Sequence, residues 1–160
     1  MVEFLEGIIT NPWALIFIIS MIPFIELRGA VIVGTAMDLP FLPMFVTCLL
    51  GNIAPIPFIM IFGRKIIEWL GSTKLMGKPV AKWRIKMDHK SESIKKYGPI
   101  ALITFVGIPL PGTGGWGGAI ASVLLNLRIA YAVPFIFIGL ILAYTIMTFG
   151  TNFVFMLFGV

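Results

Sequence analysis

Charge is what this sequence has least of: 12% of its 160 residues are charged, 59% are hydrophobic, and mean hydropathy is +1.03. A soluble fold of this size needs more polar surface, so a bilayer must cover the apolar one. Cysteine and histidine occur once each, as Cys48 and His89. One cysteine in an apolar run excludes an internal disulfide or a thiolate metal centre, and reads as a small packed hydrophobe. One histidine in a basic segment leaves no zinc site. No acid follows Glu92, and there is no hydrolase-spaced carboxylate pair, nucleophile elbow, kinase-type loop or ATP-binding domain; Thr113 and Ser122 have no histidine to serve them. The expectation is a protein that is not an enzyme and has no metal or cofactor, so that any active transport draws on an ion gradient. The start, MVEFLEG, also lacks a basic n-region, which reads as mature chain and not as a cleavable signal.

What charge there is lies in one place. The segment from Arg64 to Lys96 holds ten of the twelve Lys/Arg and nets +7, while the remainder nets −2. A short, strongly basic loop stays in the cytoplasm by the positive-inside rule. A pI near 9.6 also invites a nucleic-acid reading, but an apolar chain with one basic loop fits membrane topology better, so no nucleic acid is expected as partner. Within the loop, Val80, Trp83, Met87, Ile94 and Tyr97 share roughly one helical face. That suits an amphipathic helix on anionic inner-leaflet lipids, although Ser91 interrupts the stripe and a solvated basic loop remains the alternative.

Along the chain, Asn11-Pro12 reads as a helix start, N-cap then first helical position. The apolar run Trp13–Phe24 is too short to cross a bilayer, which takes roughly 20 residues. A break at Pro23 and Glu26-Leu27-Arg28-Gly29-Ala30 follows, then a second short stretch to Met37. Phe41 to Phe62 is long enough to span, with kinks expected at Gly51-Asn52 and Pro55/Pro57. After the loop, Ile100–Leu110 is again short, breaks at Pro109 to Gly118 and resumes as Ala119–Leu125; a last span runs from Ile129 to the end.

A shift of 88 residues superposes the two halves without a gap. Pro23 then meets Pro111, Gly29 meets Gly117, Ala30 meets Gly118, Asp38-Leu39 meets Asn126-Leu127, and Gly51 meets Gly139. The expected fold is an all-α integral membrane protein, one membrane domain over 1–160. Repeat one is 8–63, the basic cytoplasmic loop 64–97 and repeat two 98–158. Each repeat is a re-entrant helical hairpin plus a transmembrane helix. One hairpin and one span give an odd number of crossings, so the second repeat is inverted and both termini are external, a transporter pattern. The alternative is that 12–37 and 99–125 are ordinary kinked spans.

Glu26 and Arg28 are the candidates for substrate or coupling-ion binding, because ionisable groups at membrane depth face a polar cavity or each other. Glu26 would titrate a proton or bind a cation. Arg28 would anchor an anion or neutralise the carboxylate; a structural ion pair sealing the hairpin tip is the other reading. Gly112-Thr113-Gly114-Gly115-Trp116-Gly117 matches G-x-G-x-x-G literally but has no strand–turn–helix around it, so it is no dinucleotide site. These glycines with Gly118 pack helices closely or expose backbone amides to a cavity, and Trp116 contacts substrate or fills space. Asp38, Asn126 and Arg128 read as interfacial capping and snorkelling residues, and Asn52 as a group that bonds between halves or lines a cavity.

Ile22-Pro23-Phe24-Ile25-Glu26-Leu27-Arg28-Gly29-Ala30 and Pro109-Leu110-Pro111-Gly112-Thr113-Gly114-Gly115-Trp116-Gly117-Gly118-Ala119 resemble the two signature stretches of the small multidrug export protein family. That family is in turn similar, distantly, to the DedA/VTT membrane proteins. The resemblance implies two opposed re-entrant hairpins and movement of lipids or lipid-linked phosphate carriers, with proton-motive coupling. Here the second motif has neither arginine nor acid, so charged recognition falls on Glu26 and Arg28. The resulting expectation is a multi-pass inner-membrane transporter or lipid flippase, with membrane lipids and a second copy of itself as partners. Proton-coupled drug export and a non-transporting membrane scaffold are the alternatives.

Overall fold

The computed structural model describes residues 11–73, 76–89, 91–110 and 112–158, and among them helix follows helix with no strand. The helices are α1 (Pro12–Met21), α2 (Glu26–Ala36), α3 (Phe41–Ile53), α4 (Ile56–Ser72), α5 (Gly77–His89), α6 (Ser91–Gly107), α7 (Gly115–Leu124) and α8 (Ile129–Phe158). The start of α1 is as expected: Asn11 Oδ1 accepts the Trp13 amide at 2.9 Å, and Pro12 opens the helix. Pro111 and the acids Glu3 and Glu6 lie outside the described residues, as do 8–10 of the first repeat.

Two stretches are long and apolar enough to cross a membrane: Phe41–Ser72, bent at Ala54-Pro55, and Ile129–Phe158. Much of each faces outward with large apolar side chains, among them Leu42, Leu50, Phe58, Phe62, Trp69, Phe149 and Phe153. A surface of that kind is stable only against hydrocarbon, and the chain is a membrane protein.

Several boundaries differ from the sequence reading. The segment 64–97 is mostly helix, because α4 continues past Arg64 and Lys65 to Ser72 on an apolar face, and α6 begins at Ser91. Pro99 lies inside α6 instead of starting it, since a proline removes one helical hydrogen bond without ending the helix here. The proposed stripe is divided between α5 and α6, and Val80 packs against Gly71 of α4. The breaks are also narrower than expected. Residues 22–25, 108–110 and 112–114 are non-helical, whereas Glu26 to Ala30 and Gly115 to Gly118 already belong to α2 and α7.

The backbone follows the same course twice. The six described residues with positive φ form three pairs 88 apart: Phe24 with Gly112, Glu26 with Gly114, and Asp38 with Asn126. Asp38 and Asn126 end their helices identically. The Leu39 amide bonds Gly34 O and Asp38 bonds Thr35 O, while Leu127 bonds Ser122 O and Asn126 bonds Val123 O. This is the Schellman arrangement, which closes orphan carbonyls through one left-handed residue, a conformation that Asp and Asn tolerate.

Packing repeats as well. α1 and α2 fold back on each other, with Ile16 of α1 against Gly34 of α2, and both lie on α3. α6 and α7 turn at 108–114 and lie on α8. Each half then reaches into the other, α2 packing on α8 and α7 on α4. Gly51 of α3 and Gly139 of α8 sit at matching places, where a methyl group would strike the Phe17 carbonyl of α1 or the Ile103 carbonyl and Val106 of α6. The core runs through both halves, from Leu15, Ile19 and Leu27 to Val106, Ile136 and Leu140.

Candidate functional site

The two breaks meet at the centre of this packing. α7 is a ten-residue helix whose N-cap is Gly114, which has no side chain to satisfy the first amides. Glu26 does that from the other half. Its Oε1 accepts the Trp116 amide at 3.0 Å, and the Gly115 amide also faces the carboxylate. Negative charge at the positive end of a helix dipole is stabilised there. Only 3% of Glu26 is exposed, so the carboxylate lives on these amides and on Arg28.

Arg28 performs the opposite task. Its guanidinium lies 3.5 Å from Glu26 Oε2 and reaches over the end of α6, donating to Ile108 O at 3.2 Å, Thr113 O at 3.4 Å and Thr113 Oγ1 at 2.6 Å. The guanidinium thus holds the non-helical stretch that follows α6, where carbonyls have no helical amide to accept. Thr113 Oγ1 in turn lies 2.8 Å from the carbonyl oxygens of both Ile108 and Leu110 and donates its one proton to either, which knits the break together. The counterpart of Arg28 at a shift of 88 is Trp116, whose indole Nε1 donates to Met21 O at 3.1 Å, near the end of α1. Each half therefore closes the broken helix of the other with the side chain at the same repeat position.

Pro23 and Gly29 do flank the pair as expected: Pro23 lies exposed in the break and Gly29 packs against Ile25. Glu26 takes φ +51, and this left-handed turn lets two residues only two apart approach the same point. In the second motif Pro109 lies in the non-helical stretch, and Gly112 has φ +81 with open space around it. A methyl on Gly114 would overlap Glu26 Oε2, and one on Gly115 would overlap Asn52 Oδ1. Gly117 packs on the Gly112 carbonyl, and Gly118 on Val106 and Ile136. Gly114, Gly115, Gly117 and Gly118 thus act by close approach, and the amides of 115 and 116 face Glu26.

Asn52 is fully buried; its Nδ2 donates to Ser20 O at 3.3 Å, and its Oδ1 has no partner among the described residues. Asp38 and Asn126 are the helix-ending residues described above, and Arg128 is exposed, its carbonyl accepting the amides of Tyr131 and Ala132 at the start of α8. The structure leaves these three away from the Glu26 cluster, in capping roles. Two participants escaped the sequence reading. Thr113 reads in the sequence only as a hydroxyl without a histidine, yet it is a partner of Arg28, and Arg64 donates a hydrogen bond to Leu127 O at the end of α7. No cluster of three or more His, Cys, Asp or Glu exists among the described residues.

Beside the cluster, Ile32, Pro109, Met147, Gly150, Thr151 and Val154 line an apolar groove of about 430 Å³. Ile32 is one helical turn from Arg28, and Pro109 follows the carbonyl that Arg28 holds. The site therefore offers a buried carboxylate, a guanidinium and an apolar surface side by side.

Comparison with curated proteins and with solved structures returns no match. Residues 26–146, well over half of the chain and including the whole of this cluster, match the family described as small multi-drug export protein. The chain belongs to that family.

Proposed function

We propose that this protein is an ion-gradient-coupled membrane transporter that exports small amphipathic molecules, with Glu26 as the coupling carboxylate. The observation that carries the reading is a nearly fully buried carboxylate held where two broken helices from different halves meet. A charge there is costly, and a packed fold has cheaper caps for a ten-residue helix. The family name points to small-molecule export. The groove beside Arg28 suits any cargo with an apolar body, so a lipid or lipid-linked phosphate remains the second reading.

In this picture α1–α2 and α6–α7 are re-entrant hairpins and the halves are inverted with respect to each other. The basic stretch from Arg64 to Lys96 lies on the cytoplasmic side of the inner membrane, with α5 near its anionic lipids. Phe24, 86% exposed at the first break, is suited to contact a second copy of the chain. The site works by binding and proton exchange and needs no covalent chemistry.

Reconstituted liposomes test this with two cargoes, a fluorescent amphipathic cation and a labelled phospholipid. Glu26→Gln keeps an oxygen for the Trp116 amide but cannot ionise. It should fold, elute as wild type and lose cation flux by about tenfold or more, as expected for a titrating group at membrane depth. Arg28→Ala should lose flux and some stability together. Flux of lipid but not of cation would select the second reading, and undiminished flux in Glu26→Gln would overturn the coupling role. A scaffold would move neither cargo.

A further inference from the structure

The buried polar side chains outside the Glu26 cluster are not scattered. At the turn between α2 and α3 a pocket of about 180 Å³ is lined by Thr35, Asp38, Phe41, Thr148 and Asn152, with Leu39 and Met44. Thr148 lies on α8 one turn from Tyr144, whose hydroxyl donates to Phe41 O at 3.0 Å. Tyr144 neighbours Cys48 of α3, and Cys48 lies beside Ser20 of α1 and one turn from Asn52. Asn52 meets Gly115, whose amide faces Glu26. Tyr144, Cys48, Ser20 and Asn52 are each at most 1% exposed. Thr35 Oγ1 and Asn52 Oδ1 are buried without a hydrogen-bond partner among the described residues, and the Thr148 hydroxyl has that of Tyr144 beside it. An unpartnered polar atom in a dry interior is costly, and such atoms along one course are the usual mark of ordered water.

The repeat shows that the fold does not require this polarity. At a shift of 88, Thr35, Cys48, Asn52, Tyr144 and Thr148 correspond to Val123, Ile136, Leu140, Ile56 and Met60, all buried and all apolar. Ser20 corresponds to Ile108. The same repeat positions are thus hydroxyl, thiol and amide groups where α1–α3 meet the later part of α8, and hydrocarbon at the matching interface of α7 and α8 with α4.

We propose that this one-sided polar seam, from the Asp38 pocket through Thr148, Tyr144, Cys48, Ser20 and Asn52, carries water and protons between one face of the membrane and Glu26. It rests on the coupling role of Glu26 and adds the side of entry. A hydronium gives its proton to a water held by the Thr35 and Thr148 hydroxyls. Each following water passes one proton on, and the last protonates the carboxylate, so that only O–H bonds form and break. Arg28 is the charged group facing Glu26 among the described residues. α7 presents amides, α3 presents Asn52 and α1 presents Ser20 and backbone. The mirrored mouth keeps polar residues, Asn126 and Arg64 matching Asp38 and Asn152, but the interior positions behind it are apolar, so the seam opens on the Asp38 face alone, which in the proposed topology is the outside. Inward proton movement there would drive export.

Cys48, the only cysteine, is a native reporter of the seam. Full-length protein in liposomes is exposed to silver ion, a thiol reagent close to water in size, on one face at a time. Thiol left unreacted is counted with a maleimide after denaturation. The expected result is reaction from the Asp38 face, slowed about tenfold in Thr35→Val/Thr148→Met, which copies residues the other half already accommodates. A shielded Cys48 in folded wild type, or reaction that the double substitution does not slow, would overturn the seam. Thermal unfolding and elution profile verify that the variant folds. The seam and the coupling role fail separately. Glu26→Gln with full cargo flux removes the carboxylate's role and leaves silver access as it was, whereas a sealed Cys48 removes the path and leaves the Glu26→Gln result standing.

Discussion

At the scale of single residues, the site depends on where a side chain is missing. Gly114 has φ +98 and ψ −161, a region open essentially to glycine, and its Cα faces the Glu26 carboxylate. Gly114→Ala should therefore combine backbone strain of about 1–3 kcal/mol with displacement of Glu26. Gly112 also has positive φ but open space around it, so Gly112→Ala should cost only about 1–2 kcal/mol. Thermal unfolding in detergent compares the two. Equal losses would mean that the Glu26 contact adds nothing beyond the turn. The glycine run was legible in the sequence as a place of close approach, but its partner was not. That Glu26 caps α7 and Arg28 holds Thr113 depends on two segments about 85 residues apart meeting, and no local pattern encodes that.

At the scale of elements, the hairpin turns carry their own instructions. Asn126 adopts φ +54 to close the end of α7. Asn126→Gly should be neutral within about 0.5 kcal/mol, because glycine enters the left-handed region freely, whereas Asn126→Val should cost about 1–2 kcal/mol. A denaturant series on the purified protein measures both, and an Asn126→Val variant as stable as wild type would show that the cap is dispensable. The Asp38-Leu39 and Asn126-Leu127 pair was visible in the sequence because short polar residues mark such ends. A break beside Pro23 was expected too, but the left-handed turn at Phe24 was not, since a bulky residue with φ +70 runs against its own preference. Helix ends were misplaced for a similar reason. Charge suggested a loop from Arg64, but the apolar face of α4 continues, and long basic side chains reach water from a helix as easily as from a loop.

At the scale of the whole molecule, the repeat makes topology a question with two distinct answers. If α1–α2 and α6–α7 return to the face they entered from, the turn after α2 and the turn after α7 lie on opposite sides of the membrane. If they are kinked full spans, both turns lie on the same side. Pro40 and Arg128 are exposed, occupy these turns and are repeat mates. Placed singly as Pro40→Cys and Arg128→Cys in a Cys48→Ser background, they should label with an impermeant maleimide from opposite faces, Arg128 from the face that carries the basic segment. Labelling from one common face would overturn the inverted arrangement and, with it, the assignment of the polar seam to the outside. The contact of Ile16 with Gly34 favours the first answer, because a continuous kinked span would hold residues so far apart in sequence at nearly its full length. Similar halves nevertheless hold unequal chemistry. The first half carries the acid, the guanidinium and, together with Tyr144 and Thr148 of α8, the polar positions; the second supplies the amides and the glycine N-cap, and the mirrored positions are apolar. A transporter of the proposed kind, admitting protons from one side only, gains by keeping one of two repeat-related interfaces wet and the other dry.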